Sequence, residues 1–443
     1  MMKMKDSDVE WIGKIPENWE MRRLKYTLKE RKEKNDPIIT NFILSLSMER
    51  GVFPYSEKIG GGNKAKEDLK AYKVAYPNDI VLNSMNILSG SVGLSKWLGA
   101  VSPVYYTYYS DNKDINMNYY HYLFHSKEFQ RSLLGLGNGI LMKESNNGKL
   151  NTIRMRIPSE KLNRLLFPVP PKSEQLAIAY FLDENVAKID AIIADTKLSI
   201  EELKAYKQSL ITEAVTKGLD TNAKMKDSGV EWIGVVPEGW KITRIKYNYY
   251  LKGRIGWQGL TSADYIEEGP YLITGTDLVD GKVNWNNAVH ISTENYEIAP
   301  DIHLKDNDLL ISKDGTIGKV ALVSNIGDKQ ASLNSGVLLV RNTGDTMINR
   351  YLFYVLQSNI FWRWFDSKKS PNSTILHLYQ GDFKDFKYPV PDYDEQGKIA
   401  KYLDINVRKI DKLLLDKNDV ITQLEIYKKS LIYEYVTGKK QVM

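Results

Sequence analysis

The chain of 443 residues contains no cysteine. That excludes a disulfide framework and thiolate chemistry. It suits a reducing compartment, and a cytoplasmic location is the expectation. No apolar run reaches the roughly 18 residues of a membrane span, so no membrane association is expected. The opening Met1-Met2-Lys3-Met4-Lys5-Asp6 lacks the apolar core of a signal peptide. Histidine is scarce, at five residues. His121 and His125 stand four apart, but among aromatic neighbours and without the Glu of a His-Glu-x-x-His helix, so they read as packing rather than zinc ligands. Also missing are Asn/Asp-Pro-Pro-Tyr/Phe, the mark of an amino-methyltransferase, and Gly-x-x-x-x-Gly-Lys-Ser/Thr. Gly318-Lys319 is followed by Val320, and Gly135, Gly137 and Gly139 form a glycine-rich turn rather than a dinucleotide fingerprint. No catalytic, cofactor-binding or metal residue is expected in this chain.

What is present is a repeat. Pro168 to Gly218 returns 221 residues later without a gap: Pro168-Val169-Pro170 as Pro389-Val390-Pro391, Glu174-Gln175 as Glu395-Gln396, Lys188-Ile189-Asp190 as Lys409-Ile410-Asp411, and Ser209-Leu210-Ile211 as Ser430-Leu431-Ile432. A fixed period decides the architecture before anything else. Between Ser173 and Lys217 there is neither Pro nor Gly, and between Asp394 and Thr437 only Gly397. Each run predicts one long helix. Its apolar positions step by 4 and 3, through Ile189, Ile193, Ile200, Leu203 and Leu210, and again through Ile410, Leu414, Ile421, Leu424 and Leu431. That is the narrow seam along which two helices wind round each other. Polar residues interrupt both seams at matching places, Thr196 and Lys417, then Lys207 and Lys428. Such breaks cost stability and fix register. The two seams are expected to pair with each other, antiparallel.

Met4–Tyr26 also repeats, matching Met225–Tyr247 at 15 of 23 positions, with Trp11, Pro16 and Trp19 answered by Trp232, Pro237 and Trp240. The unit is therefore about half the chain: a Trp/Pro collar, a long middle, then Pro-Val-Pro and a helix. The expected division is 1–166, leading segment and first globular domain; 167–220, first spacer helix region; 221–387, leading segment and second domain; and 388–443, second helix region. The fold class is α/β (mixed α+β), two globules separated by an antiparallel two-helix coiled coil with internal pseudo-two-fold repeat. The two middles share little beyond echoes. Asn78-Asp79-Ile80-Val81-Leu82 resembles Asn307-Asp308-Leu309-Leu310-Ile311, each before a glycine-containing loop, and Tyr119–Phe129 resembles Arg350–Phe361 as one aromatic-rich helix. Strands are predicted over 101–109, 271–274 and 337–341. A copied frame around two unlike inserts reads as a frame carrying two different recognition surfaces.

The net charge of +6 permits a nucleic-acid partner. It is unevenly shared. Residues 27–166 hold 20 Lys and Arg against 13 Asp and Glu, whereas 248–387 hold 14 against 16. Phosphate contacts position a protein on DNA and base-edge contacts specify the sequence; Arg and Lys suit guanine, Asn and Gln adenine. The candidate DNA-binding residues of the first insert are Lys64 and Lys66, then Lys143, Asn146, Asn147, Lys149, Arg154 and Arg156. Those of the second are Arg254, Trp257, Gln258, Lys313, Lys319, Lys368, Lys369, Asn372, Ser373 and Thr374.

Trp-Ile-Gly-x-x-Pro-x-x-Trp before Lys-Tyr, Pro-Val-Pro-x-x-x-Glu-Gln followed by Ile and Leu-Asp, and Ile-Asp…Tyr-Lys-x-Ser-Leu-Ile occur in both halves. By these motifs, which together span most of the chain, it resembles a specificity subunit of a type I restriction–modification system. The resemblance implies two target-recognition domains, each reading one half of a bipartite double-stranded DNA site. It implies a helical spacer, two modification subunits that bind S-adenosylmethionine and methylate adenine, and restriction subunits that cleave. No cofactor is then expected in this chain itself. Two other readings stay open on the residues alone: a coiled-coil protein-interaction scaffold, and a single-chain DNA-modifying enzyme with unrecognised motifs. At about 1.5 Å per residue, Asp183–Gly218 spans roughly 54 Å, which bounds the distance between two reading centres at roughly 16 base pairs.

Overall fold

The computed structural model describes residues 3–59, 68–139, 155–254, 259–368 and 377–442. Two long helices dominate, Lys172–Lys217 of 46 residues and Tyr393–Val436 of 44. The chain divides into two compact units, Met1–Thr196 with Asp419–Met443, and Lys197–Asn418. The division runs through both helices, so each unit owns the first half of one helix and the second half of the other.

In each unit the two half-helices pair antiparallel. In the first, the Phe181 and Tyr435 rings pack tilted with centres 4.4 Å apart, and Lys428 Nζ meets Asp190 at 2.6 Å. In the second, Lys207 Nζ meets Asp411 at 2.6 Å, and Gly218 lies beside Glu395. Ile189, Ile193, Ile200, Ile410 and Leu431 are buried, and Leu203, Leu210, Leu414, Ile421 and Leu424 half-buried. The 4-3 seam is therefore the interface. Its polar interruptions have a physical role: the half-buried lysines at 207 and 428 each reach an aspartate of the opposite helix, and the two pairs are the same pair displaced by 221. Each of these two ion pairs forms in one register only, and so favours it over its neighbours.

The collars lock each helix start to its own unit. Trp19 Nε1 donates to Glu174 at 2.7 Å, and Trp240 Nε1 to Glu395 at 3.0 Å. The buried side chain of Gln175 donates to the Pro170 carbonyl and accepts from the Asn116 amide; Gln396 does the same with Pro391 and Ile348. The Glu-Gln of the motif is thus a bracket: Glu holds the collar tryptophan, and Gln holds the turn into the insert's own helix. The helix ends in turn lie on the collars. Tyr433 Oη donates to the Trp11 carbonyl and Lys439 Nζ to that of Ile12.

Both inserts contain the same four-stranded antiparallel sheet. In the first the order is Lys29–Arg31, Tyr105–Tyr109, Ile80–Asn83, Val92–Leu94. In the second it is Tyr249–Gly253, Val337–Asn342, Leu309–Ser312, Val320–Leu322, extended by two short strands at 282–283 and 278–279. Asn78 and Asn307 take positive φ, 70° and 67°. The buried Asp79 and Asp308 that follow are each gripped by an arginine, Arg31 at 2.8 Å and Arg341 at 2.6 Å. The faint Asn-Asp echo therefore marks the central strand of both sheets. A second, three-stranded sheet, 289–291, 265–273 and 331–333, belongs to the second insert.

Two expectations are corrected in detail. The 101–109 strand is two, Gly99–Val101 and Tyr105–Tyr109, and they lie in different sheets. The aromatic helix of each insert is also two: Met117–His125 and Lys127–Ser132, and Asn349–Gln357 and Asn359–Lys368. The cause in the first is Ser126, whose backbone is extended and whose hydroxyl caps the Phe129 amide. A serine there ends one helix by starting the next. The earlier half of each pair is tied to the frame identically: Tyr122 and Tyr354 donate to Asp183 and Asp404, and Tyr119 and Tyr351 to the Val436 and Val215 carbonyls.

Candidate nucleic-acid interface

The frame ties hold one face of each insert against the helices, and the strand order then determines what one end of the four-stranded sheet presents. In the second insert, Ser312 ends its strand and opens the 313–319 loop. The Lys313 amide donates to the Gly336 carbonyl at 2.8 Å, and the Leu378 amide to the Lys313 carbonyl at 3.0 Å. Asp314 pairs with His377. A Cβ on Gly253 would stand 3.8 Å from Lys313 Nζ. Arg254, the Lys313 loop and His377 thus converge at one sheet end. Three groups from well-separated parts of the chain share one place.

The first insert uses the corresponding end. Asn83 ends its strand, Ser84 Oγ donates to the Val104 carbonyl at 2.7 Å, and the Ile157 amide donates to Ser84 at 3.0 Å. Arg156 lies on the Met155–Arg156 strand, paired with Asn138–Gly139, so both stems of the 140–154 segment are held at this sheet end.

Of the proposed DNA-binding residues, Lys64, Lys66, Lys143, Asn146, Asn147, Lys149, Arg154, Trp257, Gln258, Lys369, Asn372, Ser373 and Thr374 lie outside the described residues. Arg156 and Lys368 are exposed, and Lys313 and Lys319 half-buried, with Lys319 Nζ 3.4 Å from the Gly275 carbonyl. Arg254 is different. It is only 4% exposed, and its guanidinium donates to the Leu333 carbonyl and to Ser332 Oγ, both at 2.8 Å. In this conformation the group is turned inward, fastening the first residue of the 254–258 segment to the second sheet. Replacing Arg254 with Ala is expected to cost about 1–3 kcal/mol of stability, because it strands buried acceptors. Urea unfolding measures this, and the recognised sequence should not change. Full stability with one relaxed base position would restore Arg254 as a base reader.

The near-neutral second insert also has a structural explanation. Residues 259–308, most of the second sheet and its turns, hold 10 acidic residues against two basic, whereas the rest of 248–387 holds six against 12. The acidic excess of this insert therefore lies in one continuous stretch of the chain. His121 and His125 are half-buried. Burial holds the His121 imidazole well below its ordinary range and His125 at about 4. Both are neutral packing groups at pH 7. Among the described residues no cluster of three metal-ligating side chains occurs, and no helix is long and apolar enough to cross a membrane.

Sequence reasoning missed Lys73. It sits half-buried on a short strand, with Nζ 2.7 Å from the Tyr105 carbonyl, at the same sheet end as Arg156. A single lysine in Ala-Tyr-Lys-Val-Ala carries no local signal; only the strand pairing brings it there.

Residues 241–423 match the family model described as the type I restriction modification DNA specificity domain. Over that stretch the chain is similar to this family's DNA specificity domain. The chain is also similar to the type I restriction enzyme MjaVIII specificity subunit of Methanocaldococcus jannaschii, 24% identical over 97% of this chain and 94% of its own. The fold matches, with a TM-score of 0.71 and 13% identity, a chain from a structure concerned with complex assembly and conformational transition of the type I R-M system, covering 96% of this chain and 99% of that one. It also matches the HsdS subunit from Thermoanaerobacter tengcongensis, with a TM-score of 0.55 and 14% identity over 98% and 100% of the two chains.

Proposed function

We propose that this DNA sequence-specificity subunit reads a bipartite duplex target, one half through each insert. The observation that carries the reading is the repeated sheet end: the same strand order and the same frame ties present loops of unlike sequence. Those loops are the variable element on a constant mount. The second insert reads its half-site with a local basic surface set apart from its acidic sheet, since base readout needs no overall positive charge. The helices set the gap between the half-sites.

The chain itself does no chemistry in this reading. Two modification subunits bind S-adenosylmethionine, dock on the frame and methylate adenine, and restriction subunits join that core to cleave. Support for two copies of one partner comes from exposed apolar residues that recur at the 221 period. Ile192 and Leu413 are 49% and 48% exposed, Tyr206 and Tyr427 58% and 54%, and Tyr26 and Tyr247 65% and 66%. Each unit carries one of each pair. A repeated apolar surface beside unrepeated inserts suits one partner bound twice.

Replacing residues 248–387 with the corresponding insert of another specificity subunit is expected to change one half of the methylated motif only. Sequencing of modified bases in cells carrying the complete system reads this directly. A change in both halves, or in neither, would defeat the independent-reader assignment.

A further inference from the structure

In the first unit, Lys73 and Arg156 bracket the start of the Tyr105–Tyr109 strand. Lys73 Nζ donates to the Tyr105 carbonyl at 2.7 Å and stands 5.4 Å from the centre of the Tyr106 ring. Tyr106 Oη donates to the Ile157 carbonyl at 3.0 Å, and the Arg156 guanidinium lies beside that hydroxyl. The ring of Tyr106 is 4% exposed and cannot move aside. Two cations are therefore held by one rigid strand start. Among the described residues no carboxylate lies within ion-pair distance of either, although Glu30 stands nearer to Lys32, at 4.0 Å. Burial pulls the Lys73 ammonium below its ordinary value; Glu30 opposes this, while Lys32 and Arg156 push the same way. An unneutralised, half-buried lysine beside an exposed arginine is a place where a bound anion relieves repulsion.

We propose that Lys73 and Arg156 form a phosphate clamp, gripping the DNA backbone at the first half-site without reading its bases. This rests on the DNA-reading assignment above and names two residues of that surface. The geometry favours phosphate over a base edge. Lys73 is tethered to main chain on a strand rather than carried on a projecting loop, so it reaches only what comes down to the sheet end. The clamp positions the duplex, and the loops beside it are left to discriminate.

The test uses the chain in complex with its modification subunits and measures duplex affinity across a salt series. The duplexes are one target and one unrelated sequence, and the variants are Lys73→Met, Arg156→Gln, the double variant and Lys73→Arg. Each single loss is expected to weaken both duplexes by a similar factor, roughly tenfold at low salt, and to reduce the slope of log affinity against log salt by about one. The double variant should lose about two, and Lys73→Arg should keep the slope. Unchanged slopes with unchanged thermal unfolding overturn the clamp. So does a loss confined to the target and traceable to one base pair, which would make the residue a base reader. A wild-type complex with no salt-dependent duplex binding would instead overturn the DNA-reading assignment itself. If Lys73→Met fails to fold, the Arg156→Gln slope alone decides, because Arg156 is exposed.

Discussion

Removing one heptad from each long helix, residues 196–202 together with 416–422, is expected to contract the unread gap of the target by up to three base pairs and to leave both half-sites unchanged. Seven residues shorten a helix by about 10 Å, and DNA advances about 3.4 Å per base pair. The choice of residues matters. In the first helix the deletion lies between Asp190 and Lys207, and in the second between Asp411 and Lys428, so both cross-helix ion pairs keep their partners. Each cut removes a whole period of the 4-3 pattern and the seam continues. Deleting four residues from one helix alone removes no whole period and should unfold the spacer. The measurement is again the methylated motif in cells. An unchanged gap with altered bases would show that the helices do not measure distance and that the inserts do not read independently.

Ile192→Asp with Tyr427→Asp is expected to release one modification subunit from the assembled complex, and Leu413→Asp with Tyr206→Asp the other. All four are exposed, and each precedes a seam residue by one position: Ile193, Lys428, Leu414 and Lys207. In an antiparallel coil, positions that precede one class of seam residue fall on one flank. Each unit thus presents an aliphatic and a tyrosine side chain on the same flank of its helix pair. Aromatic anchors of this kind dominate interfaces, and a carboxylate placed among them must be buried unpaired. Mass photometry should show the loss of one subunit for either pair of substitutions and the free chain for all four. Two subunits retained at nanomolar concentration would move the docking surface elsewhere on the frame.

The seam, the register breaks and the repeated frame were all legible in the letters, for a shared reason. A helix repeats every 3.6 residues, so a heptad pattern is a local property that no distant contact needs to confirm. The period of 221 then says that whatever frame forms once forms twice. The echo of Asn78-Asp79 in Asn307-Asp308 was visible too, and in the structure both lead into matching strands, Ile80–Asn83 and Leu309–Ser312.

What only the tertiary structure decided is where single charged side chains end up. Arg254 looked like a loop cation and is instead buried against Leu333 and Ser332, nearly 80 residues away. Lys73 looked like nothing and stands with Arg156, because a short strand pairs with Gly99–Val101 and brings it under Tyr105. In a sheet, a residue's neighbours are set by strand order and register between segments tens of residues apart. The alternation of a strand says which face a side chain takes, but not what stands opposite it.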